Sequence, residues 1–252
     1  AQTEPLVIGD TFTLHSSILD EARRINVYAP AGYTTSDTLR LPVLYMPDGG
    51  IGEDFLHVAG LVQIGSLNWT MRPFLLVGIE NTERRRDLTP PTEVASDREI
   101  APVVGGSADF RAFLRDELMP HVDAAYRTTG ETALVGESLA GLFVVETLLV
   151  QPEMFDTYIA LDPSLWWNAE QMLADAQALP PGHLSKPTTL FLAASAQPEI
   201  AFATIRLANQ LRADAPTNLT VHHRAYPDEE HWTIYHPAAL DAFRLVFARE
   251  DE

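Results

Sequence analysis

The sequence predicts an α/β architecture: a mainly parallel central sheet with helices on both faces and an antiparallel hairpin at its N-terminal end. Three observations carry this. Short apolar runs of strand length alternate with helix-length stretches through most of the 252 residues. Those runs are nearly continuous in apolar residues, as strands covered on both faces are. The first segment instead alternates apolar with polar residues, as a half-solvated hairpin does.

Phe12-Thr13-Leu14 and Arg24-Ile25-Asn26-Val27-Tyr28 are the hairpin strands, and Ala29-Pro30-Ala31-Gly32-Tyr33 ends the second with turn residues. Leu41-Pro42-Val43-Leu44-Tyr45-Met46 reads as a buried parallel strand that stops at Pro47-Asp48-Gly49-Gly50. Residues 55–68 read as a helix, and Phe74-Leu75-Leu76-Val77-Gly78-Ile79 as the next strand. Residues 81–107 break the rhythm: Arg84, Arg85, Arg86 and Asp87 precede Pro90-Pro91, and no period follows. This predicts a long loop or lid over the site, since long loops in compact domains tend to be functional. Residues 108–125 form an amphipathic helix, with Phe110, Phe113, Leu114, Leu118 and Val122 at helical spacing as core. Thr132-Ala133-Leu134-Val135 is a short strand running into Gly136, and residues 139–150 are a helix. The alternation then continues as strand 158–161, helix 169–178, strand 190–194, helix 200–213, strand 219–226 and helix 237–249. With no internal repeat and no linker, residues 1–252 read as a single domain.

Composition narrows the function. Hydrophobic residues make up 46% of the chain, enough for a sizeable core, yet no run reaches the ~20 apolar residues that span a bilayer. Thirty-five acidic residues against 17 basic give a net charge of -18, a field that repels nucleic acid and anionic membrane surfaces. The absence of cysteine excludes disulfides, thiolate metal sites and a Cys nucleophile. No cofactor is expected. The start Ala1-Gln2-Thr3 fits a terminus left by signal-peptidase cleavage, so an exported form is an expectation and a cytoplasmic one the alternative.

The chemistry concentrates in Gly136-Glu137-Ser138-Leu139-Ala140-Gly141, between a short apolar strand and a helix. That is the context of a nucleophile elbow, in which the positions two before and two after the serine must be small. Gly136 and Ala140 satisfy this, and Ser138 becomes the candidate nucleophile. The Leu139 N–H points at the same spot and can stabilise a developing oxyanion. In a serine hydrolase built this way the acid and then the histidine follow in chain order. His222 and His223 lie inside the last strand and read as structural. His231, in the loop Asp228-Glu229-Glu230-His231-Trp232, is the candidate base, with His236 as the fallback. The two lack the helical i,i+4 spacing of a metal pair, and no metal is expected. Glu199 is the sole acid in the loop Ser195-Ala196-Gln197-Pro198-Glu199 and is the expected triad acid; Asp162, ending the strand 158–161, is the alternative.

Taken together these segments resemble the putative-esterase branch of the α/β-hydrolases, which includes enterochelin esterases and esterase-D-like enzymes. The resemblance runs from about Phe12 to Phe247. It rests jointly on Val43 to Gly50, Ile79 to Pro90, Phe113 to Pro120, the serine motif and Asp162-Pro163-Ser164-Leu165-Trp166-Trp167. It implies the α/β-hydrolase fold, Ser138 as nucleophile, His231 as base and Gly50 as the second oxyanion donor. Three positions depart from the family pattern: Ala140 for Gly, Glu137 where His is frequent, and Asp162 where Ser is frequent. Trp166 and Trp167 are candidates to wall the substrate cleft, and Arg86, within the Arg84–Arg86 cluster, to hold an anionic substrate group. The expected activity is hydrolysis of small-molecule carboxylic esters through an acyl-enzyme. An acyltransferase with the same triad and a non-catalytic binding protein of the same fold are the alternatives.

Overall fold

A computed structural model describes residues 2–180, 183–213 and 218–249. Eight strands form one sheet: β1 (Asp10–Ser16), β2 (Glu21–Tyr28), β3 (Leu41–Pro47), β4 (Leu75–Ile79), β5 (Thr128–Glu137), β6 (Thr157–Leu161), β7 (Thr188–Ala194) and β8 (Leu219–Ala225). Their spatial order is β1-β2-β4-β3-β5-β6-β7-β8. β1 pairs with β2 and β2 with β4 in antiparallel fashion. Every other neighbouring pair is parallel. The expected hairpin on a parallel sheet is thus what forms.

The continuous apolar runs are explained by two cores, one on each face. Along β3, Val43 and Tyr45 join one core while Leu44 and Met46 join the other. Along β7, Leu190 and Leu192 go one way, Phe191 and Ala193 the other. The period of two is present, but both faces are dry, so no polar residue marks it. Helices Phe55–Leu67 and Tyr235–Val246 cover one face. The other is covered by Ser107–Phe113, Leu139–Val150, Trp167–Gln177 and Pro198–Ala213.

Two segments differ from expectation. The helix expected over 108–125 is interrupted by a wider π turn at Leu114–Leu118, after which Met119–Ala125 continues as α-helix. The wider turn lies where Pro120 has no N–H to continue the ladder. Residues 81–107 carry two short helices, Arg84–Asp87 and Ala95–Ile100. They are anchored from below. The Trp167 indole N–H donates to the Pro90 carbonyl at 3.1 Å, and the Asn168 N–H to Asp97 Oδ2 at 2.8 Å. The buried Arg23 pairs with Asp87 and with Glu21, and Arg86 bridges the same two acids at 2.7 Å each.

Candidate active site

The C-terminal ends of the parallel strands carry the site. β5 ends at Glu137, and Ser138 follows with φ 61° and ψ -121°, a conformation that costs a non-glycine residue energy and persists only when its surroundings enforce it. Here they do. The Ser138 N–H donates to Leu161 O at 3.0 Å, and the Ser138 carbonyl accepts from Leu142 and Ser164. A Cβ on Gly136 would lie 2.5 Å from the backbone carbonyl carbon and oxygen of Ala140, so only glycine fits at 136. The helix Leu139–Val150, buried almost all round, fixes the elbow to both sheet and helix layer.

His231 reaches the serine from the loop after β8. That loop is tied to the one after β7 by Ala196 N–H to Glu229 O at 2.8 Å, and Thr233 Oγ1 accepts the Glu230 N–H. His231 Nε2 lies 3.0 Å from Ser138 Oγ, and Nδ1 lies 2.7 Å from Asp162 Oδ2. Asp162 is fully buried directly after β6. Its carboxylate also accepts the Ser195 N–H at 2.6 Å and the Ser195 hydroxyl at 2.9 Å. With those donors in place Oδ2 is fixed opposite the imidazole. The hydrogen bond to Asp162 raises the His231 pKa, burial opposes it, and the charge of Glu137 raises it further.

The expectation that Glu199 orients His231 is therefore corrected: Asp162 holds that place. Glu199 sits exposed in the first turn of the helix Pro198–Ala213, where the macrodipole favours a carboxylate. Its loop contributes the serine at 195 instead. The fallback base His236 is also elsewhere, with Nδ1 2.9 Å from His57 Nε2.

The two expected oxyanion donors differ in their surroundings. The Leu139 N–H lies in the first turn of its helix, where amides have no intrahelical acceptor. The turn after β3 is held by Asn26, which donates to Gly49 O at 2.8 Å, and by close approach to Gly78, which a Cβ at 49 would meet at 2.3 Å. The Gly50 N–H, expected as the second oxyanion donor, donates to Glu53 Oε2 at 2.7 Å. Glu53 is held in turn by the Asn81 side chain at 2.9 Å. In this state a carboxylate of the chain itself occupies the donor.

The other site expectations are also redistributed. Arg86 donates Nε to Asp87 and Nη2 to Glu21, so acids of the chain itself already hold its guanidinium. Arg84 of the same cluster is the one that reaches the site, clamping Asp48 with Nε and Nη2 at 2.6 and 2.8 Å. Trp167 is buried beneath residues 81–107 and walls no cleft. Trp166, partly buried, packs against it at 5.9 Å between ring centroids. Glu137 went unassigned in the sequence. Its carboxylate lies 3.5 Å from His231 Nε2, and burial pushes its pKa up to about 7 against the lowering charges of His231 and Arg84.

A family model described as "Putative esterase" matches residues 16–236. The chain is 32% identical over 192 residues to the siderophore triacetylfusarinine C esterase of Aspergillus fumigatus, covering 69% of this chain and 62% of that protein. It is 33% identical over 153 residues to the ferri-bacillibactin esterase BesA of Bacillus subtilis, covering 55% of this chain and 50% of that one. It therefore spans less than two thirds of the length of these curated relatives. Among solved structures, an IroE-like serine hydrolase from Shewanella oneidensis superposes with a TM-score of 0.85 at 28% identity, over 96% of this chain and 82% of that one.

Proposed function

The chain belongs to the putative-esterase family of α/β-hydrolases, and from that premise we propose that it hydrolyses small-molecule carboxylic esters through an acyl-enzyme on Ser138. The observation that carries this reading is the unbroken relay Ser138 Oγ, His231, Asp162, at 3.0 and 2.7 Å. Nε2 faces the serine, so it can accept the hydroxyl proton as Oγ attacks the ester carbonyl. The proton then passes from Nε2 to the leaving alkoxide, and water repeats the sequence to release the acid. Asp162 fixes the tautomer through Nδ1–H and stabilises the imidazolium without taking the proton itself. The Leu139 N–H supports the oxyanion. Gly50 joins it once the substrate oxygen takes the place of Glu53. The relatives' names point to siderophore esters as the first substrates to try. We read the whole chain as one α/β-hydrolase domain, because all eight strands share one sheet. Residues 81–107 reach its site through Arg84.

The test is a fluorophosphonate probe together with an ester panel that includes siderophore lactones. Wild type should label and turn over. Ser138→Ala should fold, fail to label and lose on the order of 10⁴–10⁶ in rate. An added acceptor alcohol that captured the acyl group in preference to water would redefine the enzyme as a transferase. Unlabelled, folded wild type would leave only a binding protein.

A further inference from the structure

Two carboxylates, not one, address the His231 imidazole. Asp162 faces Nδ1 at 2.7 Å, as a triad acid does. Glu137 faces Nε2, the nitrogen that must take the serine proton, with Oε1 3.5 Å away. Glu137 has little freedom to leave. It is the last residue of β5, its side chain is 17% exposed, and Ser138 follows it in an enforced conformation.

The groups around Glu137 come from every neighbouring element. His231 faces it from the loop after β8 and Arg84 from the short helix 84–87. Asp48 contributes from the turn after β3 and Asp162 from the end of β6. Tyr235, from the helix Tyr235–Val246, also feels its charge, with Asp54 and Asp48 beside that phenol. Arg84 is already clamped on Asp48, so its charge is shared. The imidazole is the remaining cation.

We propose that Glu137 is a positioning residue that shares one proton with His231 across Nε2, so that this pair, not the imidazole alone, sets the pH at which the base becomes available to Ser138. The proposal deepens the esterase reading and rests on it. The chemistry follows from lone pairs. Neutral His231 donates Nδ1–H to Asp162 and presents a lone pair on Nε2. An ionised Glu137 would set a second lone pair and a full charge against it. One proton between the two relieves this, residing on Nε2 or on the Glu137 carboxyl. While it is on Nε2, Ser138 Oγ has no acceptor for its own proton. The enzyme is competent when that proton has left the pair for solvent, because a carboxyl proton aimed at Nε2 would fill the lone pair that the Ser138 hydroxyl needs. After attack the same carboxylate faces the new Nε2–H and stabilises the imidazolium beside Asp162. The rise of Glu137 to about 7 places its own titration in the range where the imidazole titrates.

Removing the acid while keeping the shape gives the test. Glu137→Gln should move the acid limb of kcat/KM to lower pH by ~1 unit, so that activity at the foot of that limb rises about tenfold. Glu137→Met, which also removes the charge, should move it the same way, and serves should the Gln variant fail to fold. The His231 ring is titrated by NMR in parallel, in a Ser138→Ala background that needs no turnover. Its pKa should fall when Glu137→Gln is added. An unchanged imidazole titration and an unmoved acid limb would overturn the proposal, whatever the esterase does. Failure of the parent enzyme to label with fluorophosphonate would overturn the esterase reading instead, and the NMR result would still decide whether the pair shares a proton.

Discussion

Two charged clusters lie close together in this chain, and they are built on opposite principles. Beneath residues 81–107, Glu21 and Asp87 meet Arg23 and Arg86, two acids against two bases, each acid held by both guanidinium groups. At the ends of the parallel strands, Asp48, Glu137 and Asp162 stand against Arg84 and His231. The first cluster balances in charge, although Arg23 Nε and Nη1 are buried in it without a hydrogen-bond partner. The second carries surplus negative charge, and the surplus surrounds a histidine. A balanced knot leaves nothing to do chemistry with. An acid-rich one stabilises a proton that arrives and departs, which is what the proposed relay requires. Function here is legible as an imbalance of charge.

The largest effect should come from the unbalanced cluster. Asp162→Asn keeps the shape but loses the charge and the tautomer control, and kcat should fall by up to ~10⁴, with the unfolding midpoint little changed. A fall of less than tenfold, measured on folded protein, would mean that the surplus charge is ornamental.

The balanced cluster should respond in stability instead. Asp87→Asn leaves the buried Arg23 guanidinium with only Glu21, and breaking a buried pair costs about 3 kcal/mol or more. For a chain of this length that is a drop in Tm of roughly 6–12 °C. Ester turnover at 25 °C by the protein that remains folded should stay close to wild type. Loss of turnover without loss of Tm would couple the two clusters.

The clusters should also lean opposite ways with pH. Burial pushes Glu21 up, but the hydrogen bonds from Arg86 and Thr82 and the charge of Arg23 together hold it below its ordinary 4.5. Its contribution is present above 4.5 and is lost as pH falls through its lower folded value. Glu137 is raised from 4.5 to about 7, so the folded state binds more protons than the unfolded chain across that window. Stability then falls as pH rises through it, by up to about 3 kcal/mol. His231, also raised, adds a contribution complete below 6.5 and lost as pH rises through its folded value. Burial holds His57, His222 and His223 below their ordinary 6.5, which adds stability as pH rises, so the readout is the difference in urea unfolding free energy between wild type and Glu137→Gln, which should decline from pH 4.5 to 8. A rise over that range would reverse the assignment.

The smallest effect sharpens the comparison by its absence. Glu199→Gln removes a charge that belongs to neither cluster, and rate and Tm should both stay within about twofold and 2 °C. A loss near that of Asp162→Asn would restore Glu199 to the relay.

Much of this was readable before any coordinates. The elbow announces itself because small residues flank a serine between strand and helix, a demand met locally by Gly136 and Ala140. The buried strands show as unbroken apolar runs, because both faces of the sheet are dry. What the sequence ranks in the wrong order is Asp162 against Glu199. Both follow strands at the C-terminal edge of the sheet, Asp162 directly and Glu199 after a short loop, and the choice depends on where Ser195 turns its N–H and hydroxyl, a tertiary fact. Arg86 and Trp167 misled for a related reason. A cationic run and a tryptophan pair suggest recognition, but their partners, Glu21 and the Pro90 carbonyl, lie 65 and 77 residues away. Glu137 carried a signal, an acid inside the serine motif, whose meaning appears only when His231 is brought to it from 94 positions along the chain.

The backbone at Ser138 has a bearing on descent as well as on mechanism. A residue held at φ 61° and ψ -121° carries a cost of order 1–3 kcal/mol that glycine would largely escape. Selection for turnover and selection for a robust fold therefore pull on this one codon in opposite directions. A lineage released from hydrolysis would find Ser138→Gly among its most accessible stabilising steps. On the proposed reading, a serine stands in this costly conformation because the hydroxyl is needed there.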